Sequence, residues 1–429
     1  MSVLVAIANI LKDYVFNQPA FFIGLVALLG LLLQKKAFSD VVSGTLKTVV
    51  GVLIITTAAG QIAGQLLNLA PIVQKAFGLP SFTFANAIGT NNFIQQYGSL
   101  ITLVMAFGFV VNLLLARFTR FKYIYLTGHL MFWMALVWVA VLVETFGPNL
   151  SSAAIVLSGA VVMGLYWTLQ PALTQKYMRR VTNSDDLALG HTTGIAAFLA
   201  GWVGERVGKP EDSTENMRVS ENLRFFQDIT VATSLVMALV YVVANLVAGP
   251  ETVSQYSGGQ NYIYWGILEG IKFGAFVTIL LLGVRMMIAE IVPAFRGIAQ
   301  KVVPNAKPAL DCPIVFTYAP TAVIVGFLST FITVIILTVI CGLSGIGVLI
   351  PPMIPIFFPG ATAGVFGNAT GGRRGAIVAG VICGLIIGLG EMAMVQVMNH
   401  TVPDVFAWAT DPDWAVFAGF WRAVLSIFH

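Results

Sequence analysis

"YLTGHLMFWMALVWVAVLVETF", residues 125–146, contains an unbroken apolar run from Leu130 to Val143 with no charged side chain. As a helix rising 1.5 Å per residue, such a run spans most of a bilayer core of about 30 Å. Comparable runs recur along the chain. Over the 429 residues, 58% are hydrophobic and only 10% charged, whereas soluble domains carry roughly 25% charged residues. Mean hydropathy is +0.87. The fold class is therefore an all-α polytopic membrane protein, organised as a single membrane domain over residues 1–429. The net charge of +4 sits in short clusters between apolar runs, which fits orientation signals and not a nucleic-acid footprint.

Expected spanning segments are 21–33, a broken pair across 41–77, 98–116, 123–142, 151–173, 229–248, 263–282, 314–340, 374–398 and 414–428. Together they make about ten or eleven crossings. The opening "MSVLVAIANILKDYVFNQ" (1–18) has no basic leader or small-residue cleavage site and reads as an amphipathic interfacial helix. Basic clusters at Lys35/Lys36, Arg117/Arg120/Lys122, Lys176/Arg179/Arg180 and Arg296/Lys301/Lys307 fall on alternate loops, while 147–151 and 250–262 contain no Lys or Arg. The basic loops are thereby placed in the cytoplasm. Region 175–229 holds 15 of the chain's 42 charged residues, a cytoplasmic surface that is either simply solvated or a docking platform.

Two stretches break the pattern of plain spans. "LALGHTTGIAAFLAGWVG" (187–204) is short and Gly-rich, and "GIGVLIPPMIPIFFPGATAGVFGNATGG" (345–372) has four prolines and seven glycines. Irregular backbone at membrane depth survives only where protein or a water-filled cavity receives it. One interrupted segment in each half is a pointer to a transporter's central site. Both read as re-entrant hairpins, in halves 1–226 and 227–429 related by an inverted repeat.

Ionisable groups within apolar segments are costly and sparse here. They are His129, His191, Asp311 in "PALDCPIVFTYAP" (308–320), Glu269 with Lys272 at helical spacing, Arg285, Glu290 and Glu391. Glu269 and Lys272 neutralise each other at i,i+3. Neutral His and ionised Asp together donate and accept in the manner a hydroxyl-rich solute needs. The three cysteines show no CxxC or CxxH spacing, and no histidine shows HxxxH spacing, so neither metal nor cofactor is expected. No GxxxxGK[ST] or GxSxG motif occurs. The residues alone thus describe a permease for a small polar solute. An alternative of another class is an intramembrane enzyme working with His129, His191 and Asp311.

Five stretches carry a resemblance: "GTLKTVVGVL" (44–53), "YLTGHLMF" (125–132), "LALGH" (187–191), "GVRMMIAEIVPAFRGIAQKVVPNAKPALDCPIVFTYAPTAVIVGF" (283–327) and "IPPMIPIFFPGATAGVFGNATGGRRGA" (350–376). On these the chain resembles the ascorbate-type enzyme IIC, the membrane permease subunit of the bacterial phosphotransferase system, and more faintly the galactitol-type subunits. The resemblance implies a homodimeric permease of the bacterial cytoplasmic membrane, with a dimerising scaffold and a solute-carrying core. It also implies that L-ascorbate or a related polyol or sugar acid crosses and is phosphorylated by a separate cytoplasmic IIB, supplied in turn by IIA; an alditol carrier is the alternative. The solute-binding set it implies is His129, Phe132, Trp133, His191, Thr192, Asp311, Asn86 and Ala87. Ascorbate-type members carry Gln where Trp133 and Thr192 stand, and a Thr-Tyr pair where Asn86 and Ala87 stand, a loss of polar partners of the kind that changes specificity.

Overall fold

The computed structural model describes residues 18–78, 87–217, 228–344 and 349–428. The interfacial helix expected over 1–18 falls almost entirely outside them. The first helices are α1 (Pro19–Leu33), α2 (Phe38–Ala76) and α3 (Thr90–Phe118). Strand β1 (Tyr123–Tyr125), α4 (Gly128–Phe146), α5 (Ser152–Thr182), β2 (Ala188–Leu189) and α6 (Gly194–Val207) follow. The second half contains α7 (Ile229–Ala248), α8 (Pro250–Ser257), α9 (Tyr262–Lys301), β3 (Lys307–Leu310) and α10 (Pro313–Phe316). It closes with α11 (Pro320–Ser344), α12 (Met353–Val397), α13 (Pro403–Ala409) and α14 (Pro412–Leu425).

Among the described residues, eight helices are long and apolar enough to cross a membrane, and the chain is an all-α polytopic membrane protein. The count is lower than expected partly because 41–77 is one helix, α2. Pro71 lies inside α2 without ending it, and Gly51 seats a neighbouring helix closely. A Cβ at Gly51 would stand 2.8 Å from the Met287 nitrogen of α9. The ends are set locally. Ser151 accepts from the Ala154 amide at the start of α5, and Asn183 closes that helix in the left-handed conformation. Asn261 accepts from Ile263 and Tyr264 to open α9.

The helices pack in two groups. Helices α1, α2, α7 and α9 pack on one another, and α3, α4, α5, α6, α11, α12 and α14 form the other group. The first group's polar residues pair as the sequence implies. Lys272 donates to Glu269 at 2.8 Å, and Gln65 of α2 donates to the same carboxylate at 2.8 Å. Glu290 meets Lys47 at 3.3 Å.

Each interrupted stretch contributes one helix within its own bounds, and 345–372 ends where the chain turns back. Stretch 187–204 holds β2, a short loop and most of α6. Stretch 345–372, described from Leu349, holds the first leg of α12 and ends on its turn. That turn is Gly372, at φ 58° and ψ −150°. The legs 353–371 and 373–397 lie against each other, since a Cβ on Gly367 would meet the Gly375 oxygen at 2.3 Å and Ala379 Cβ at 2.6 Å. Gly372 is confined twice over: its φ is positive, and a Cβ there would fall 2.5 Å from both the Lys209 and Asp212 carbonyl oxygens. These belong to the segment after α6, so the turn of α12 is lodged in the chain leaving α6. Gly204 and Gly371 continue the contact backbone to backbone, the close approach that small residues permit between membrane helices.

Gly372→Ala is expected to lose about 2 kcal/mol or more of stability, from a strained φ plus overpacking. The check is the thermal unfolding midpoint in detergent, with Gly64→Ala as control, since a Cβ at Gly64 meets nothing within 4 Å.

Candidate functional site

No sheet was expected, yet three short strands pair in parallel in the order β1-β3-β2. The spine is β3: Lys307 donates to the Lys122 oxygen (2.7 Å), Leu126 to the Ala309 oxygen (2.9 Å) and Gly190 to the Leu310 oxygen (2.7 Å). Gly190 must lack a side chain, because a Cβ would sit 2.5 Å from the Ala309 oxygen. Both outer edges are closed by amides from long helices. Asn112 of α3 donates to the Tyr123 oxygen and accepts from the Tyr125 amide, each at 3.1 Å. Gln175 of α5 donates to the Leu187 oxygen at 3.0 Å. Edge groups left open there would be unsatisfied in a water-poor interior.

The strands end side by side, and the residues just after their C-terminal ends are His129, His191 and Asp311. His129 Nε2 lies 3.6 Å from Asp311 Oδ2, and His191 Nε2 lies 3.7 Å from Asp311 Oδ1. His129 is not deep in a greasy helix. It is the second residue of α4, and its side chain is 47% exposed. His191 is buried, and its Nδ1 has no partner among the described residues. A buried imidazole is disfavoured as a cation. The two contacts to Asp311 are too long for hydrogen bonds, so both imidazoles and the carboxylate keep capacity for a ligand. The Cys312 amide donates to Asp311 Oδ1 at 2.7 Å and orients the carboxylate.

These three side chains share a cavity of about 460 Å³ that lies between the two helix groups. One wall is Ile55, Thr56, Ala59, Gly60 and Ala63 of α2; the other includes His129, Trp133, His191, Asp311, Ile354, Phe358, Asp411 and Trp414. A mostly apolar concavity of this size with few convergent polar groups suits a small ligand. Trp133 lines it beside Trp414, ring centroids 6.1 Å apart. The other expected residues are placed differently. Phe132 packs edge-on to the Trp133 ring at 5.9 Å and is not among the lining residues. Thr192 is fully buried, and its hydroxyl donates to Asp411 Oδ2. It sits behind the wall because that bond turns it away. Ala87 lies next to the pairing of Ile88 and Gly89 with the His400 and Thr401 oxygens, away from the lining. Asn86 is outside the described residues.

The sequence reading missed Asp411 and Trp414. Both come from a C-terminal stretch, "TDPDW" (410–414), at the entry to the span expected over 414–428; its two aspartates, one on either side of the Pro412 that starts a helix, were the available signal. Asp413 anchors this stretch by accepting from the Gly194 (3.0 Å) and Ile195 (2.8 Å) amides at the start of α6 and from the Tyr166 hydroxyl (2.7 Å). Asp411 stands ahead of α14, outside the eight spanning helices. Burial pushes its carboxyl up to about 8, against the pull of the Thr192 bond. His191, Asp311 and Cys312 also bring three possible ligand atoms within 4.8 Å of one another, a grouping that linear spacing did not reveal.

A family model described as the sugar-specific permease component of the phosphotransferase system matches residues 14–413. The chain belongs to that family. It is also 27% identical, over an alignment of 453 positions, to a protein of Mycoplasma pneumoniae (strain ATCC 29342 / M129 / Subtype 1) called "Ascorbate-specific PTS system EIIC component". That alignment covers 93% of this chain and 68% of the Mycoplasma protein. The resemblance read from the five sequence stretches thus holds. The chain is a permease component and not the phosphoryl-transfer subunit of its system, and it is a multi-pass protein of the bacterial cytoplasmic membrane.

In this permease component the strands are also locked where they start. Asp185, in the loop before β2, accepts from Arg179 Nε at 2.6 Å, Lys307 Nζ at 2.5 Å and Gln175 Nε2 at 2.8 Å. The end of α5, the loop after it and the start of β3 therefore meet at one end of the sheet. Burial pushes the Asp185 carboxyl up, but the hydrogen bonds from Arg179, Lys307 and Gln175 outweigh it and hold it at about 2.

A carboxyl depressed in the folded state contributes stability above its unfolded pKa of roughly 3.9, lost as pH falls through the folded value. Asp185→Asn is expected to lower the unfolding midpoint by a constant amount from about pH 5 to pH 8. The gap to wild type should close between about pH 4 and pH 2; a gap that stays constant down to pH 2 contradicts the lock.

Proposed function

We propose that this permease component carries a small hydroxyl-rich solute, L-ascorbate or a related polyol or sugar acid, bound by His129, His191 and Asp311. The observation that carries the reading is the convergence of three strand ends on one cavity between two helix groups. Hydroxyls fit the two gaps flanking the Asp311 carboxylate: each can donate its one hydrogen to a carboxylate oxygen and accept from the N–H of the adjacent imidazole. Charge-assisted bonds of that kind are the strong ones. Trp133 and Trp414 offer flat faces to the C–H surface of a sugar-like ligand.

The placement of the cavity supports a scaffold-and-core cycle. Helices α1, α2, α7 and α9 make the scaffold and dimer-forming part, and the sheet with α6, α11 and α12 makes the core that carries the solute past α2. On the cytoplasmic side a separate IIB, charged by IIA, phosphorylates the solute, and the product's charge prevents its return. The charged region 175–229 is the candidate IIB face. Many of its charges are already engaged, with Glu205 meeting Lys176 at 2.8 Å and Arg180 at 2.9 Å, which leaves shape as well as charge to define the contact.

His129→Ala and Asp311→Ala are each expected to weaken solute binding at least tenfold, the equivalent of about 1.5 kcal/mol per lost charge-assisted bond. The folded protein and its oligomeric mass should be unchanged. Isothermal titration of the purified protein against ascorbate, pentitols and hexitols measures the first, and size-exclusion with light scattering the second. Normal binding by both variants rejects the site.

A further inference from the structure

The cavity wall holds a set of donor atoms that a hydroxyl-rich solute does not exhaust. Cys312, 1% exposed, lines the cavity together with His191 and Asp311. One ring nitrogen of His191, one carboxylate oxygen of Asp311 and the Cys312 Sγ lie within 4.8 Å of one another. The 3.7 Å between His191 Nε2 and Asp311 Oδ1 is close to the spacing of two ligands around one tetrahedral zinc, roughly 3.5 Å for bonds of about 2.0–2.3 Å. The imidazole is also unsatisfied. His191 Nδ1 has no partner among the described residues, and the Nε2 contact to Asp311 is too long for a hydrogen bond. A buried polar group in that condition is costly unless something meets it. The donors are fixed in place, since His191 follows β2, Asp311 and Cys312 follow β3, and the two strands are paired.

We propose that His191, Asp311 and Cys312 form a site for a soft divalent cation of the zinc class, and that this cation and the solute exclude each other. Imidazole and thiolate ligands suit Zn²⁺, Co²⁺ and Cd²⁺, whereas Mg²⁺ and Ca²⁺ take oxygen ligands. As the metal–sulfur bond forms, the Cys312 thiol gives its proton to solvent. Carboxylate and thiolate then match the two charges of the cation, so no uncompensated charge is left in the wall. Three protein ligands leave a fourth position open to the cavity for water.

The exclusion is geometric, and it rests on the solute site assigned above. There a solute hydroxyl fills the gap between His191 Nε2 and Asp311 Oδ1, and the cation would fill the same gap. Zinc reaching this cavity therefore blocks the permease by occupying the place of its cargo.

The test uses the full chain in detergent with any affinity tag removed. Zinc chloride is titrated calorimetrically, and cobalt(II) chloride is followed by absorbance. Zinc is expected to saturate at a single equivalent per chain, undisturbed by excess magnesium, and cobalt to give a thiolate charge-transfer band in the near ultraviolet. Cys312→Ser should remove that band and weaken zinc binding about tenfold or more. Zinc loading should weaken, by about tenfold or more, the binding of whichever solute the wild type takes in the titrations above. Wild type without a thiolate band overturns the proposal, and this arm needs no variant to fold. Zinc bound equally well by Cys312→Ser also overturns it, because the ion then sits elsewhere, as at the exposed His400 beside Glu144. If the band appears and Cys312→Ser removes it, yet zinc leaves solute binding unmoved, the exclusion is overturned and the solute position with it. Failure of the cation site and failure of the solute reading are thus distinguishable.

Discussion

Everything at the centre of this molecule hangs on the backbone hydrogen bonds of one four-residue strand. Lys307–Leu310 is paired on both sides, by 123–125 and by 188–189. A membrane protein can hold non-helical backbone in its interior only if each amide and carbonyl finds a partner. Here the inner groups pair with one another and the outer ones with Asn112 and Gln175. Three segments far apart in the chain are thereby obliged to end together. Ligand groups at the carboxyl ends of parallel strands are a recurrent arrangement in α/β proteins, and here the same geometry is built from nine strand residues.

The surrounding helices serve that centre. Helices α6 and α12 are joined through glycine backbone contacts, and Asp413 ties the start of α6 to the start of α14. The cavity wall formed by α4, α12 and α14 is consequently one packed unit with the sheet. The opposite wall, α2, belongs to the other helix group and contributes only apolar, small or hydroxyl side chains to the cavity. The ionisable groups of the cavity are confined to one side.

How far the sequence reveals this depends on range. The spanning helices were legible because each carries its own hydropathy signal, and Glu269 with Lys272 because their pairing is local. The strands were not. "YIY" and "AL" are fully buried, so they show no alternation, and "KPAL" looks like a loop before a proline. Their partners lie more than a hundred residues away. The convergence of His129, His191 and Asp311 could be taken from resemblance but not from spacing. Thr192 was matched to a ligand position, although its hydroxyl serves Asp411, and Asp411 itself lies outside every stretch that carried the resemblance. The expected broken pair over 41–77 is one helix, 38–76, because Pro71 lies inside it without ending it, which hydropathy alone does not show.

One feature of the centre bears on energetics of transport. The imidazoles and carboxylate are fixed to adjacent strands of a sheet whose other end is clamped by Asp185. A site built this way has no soft joint among its own ligand groups. The three groups therefore keep their mutual spacing if the helices around them shift, and any change in the shape of the cavity has to come from the α2 wall.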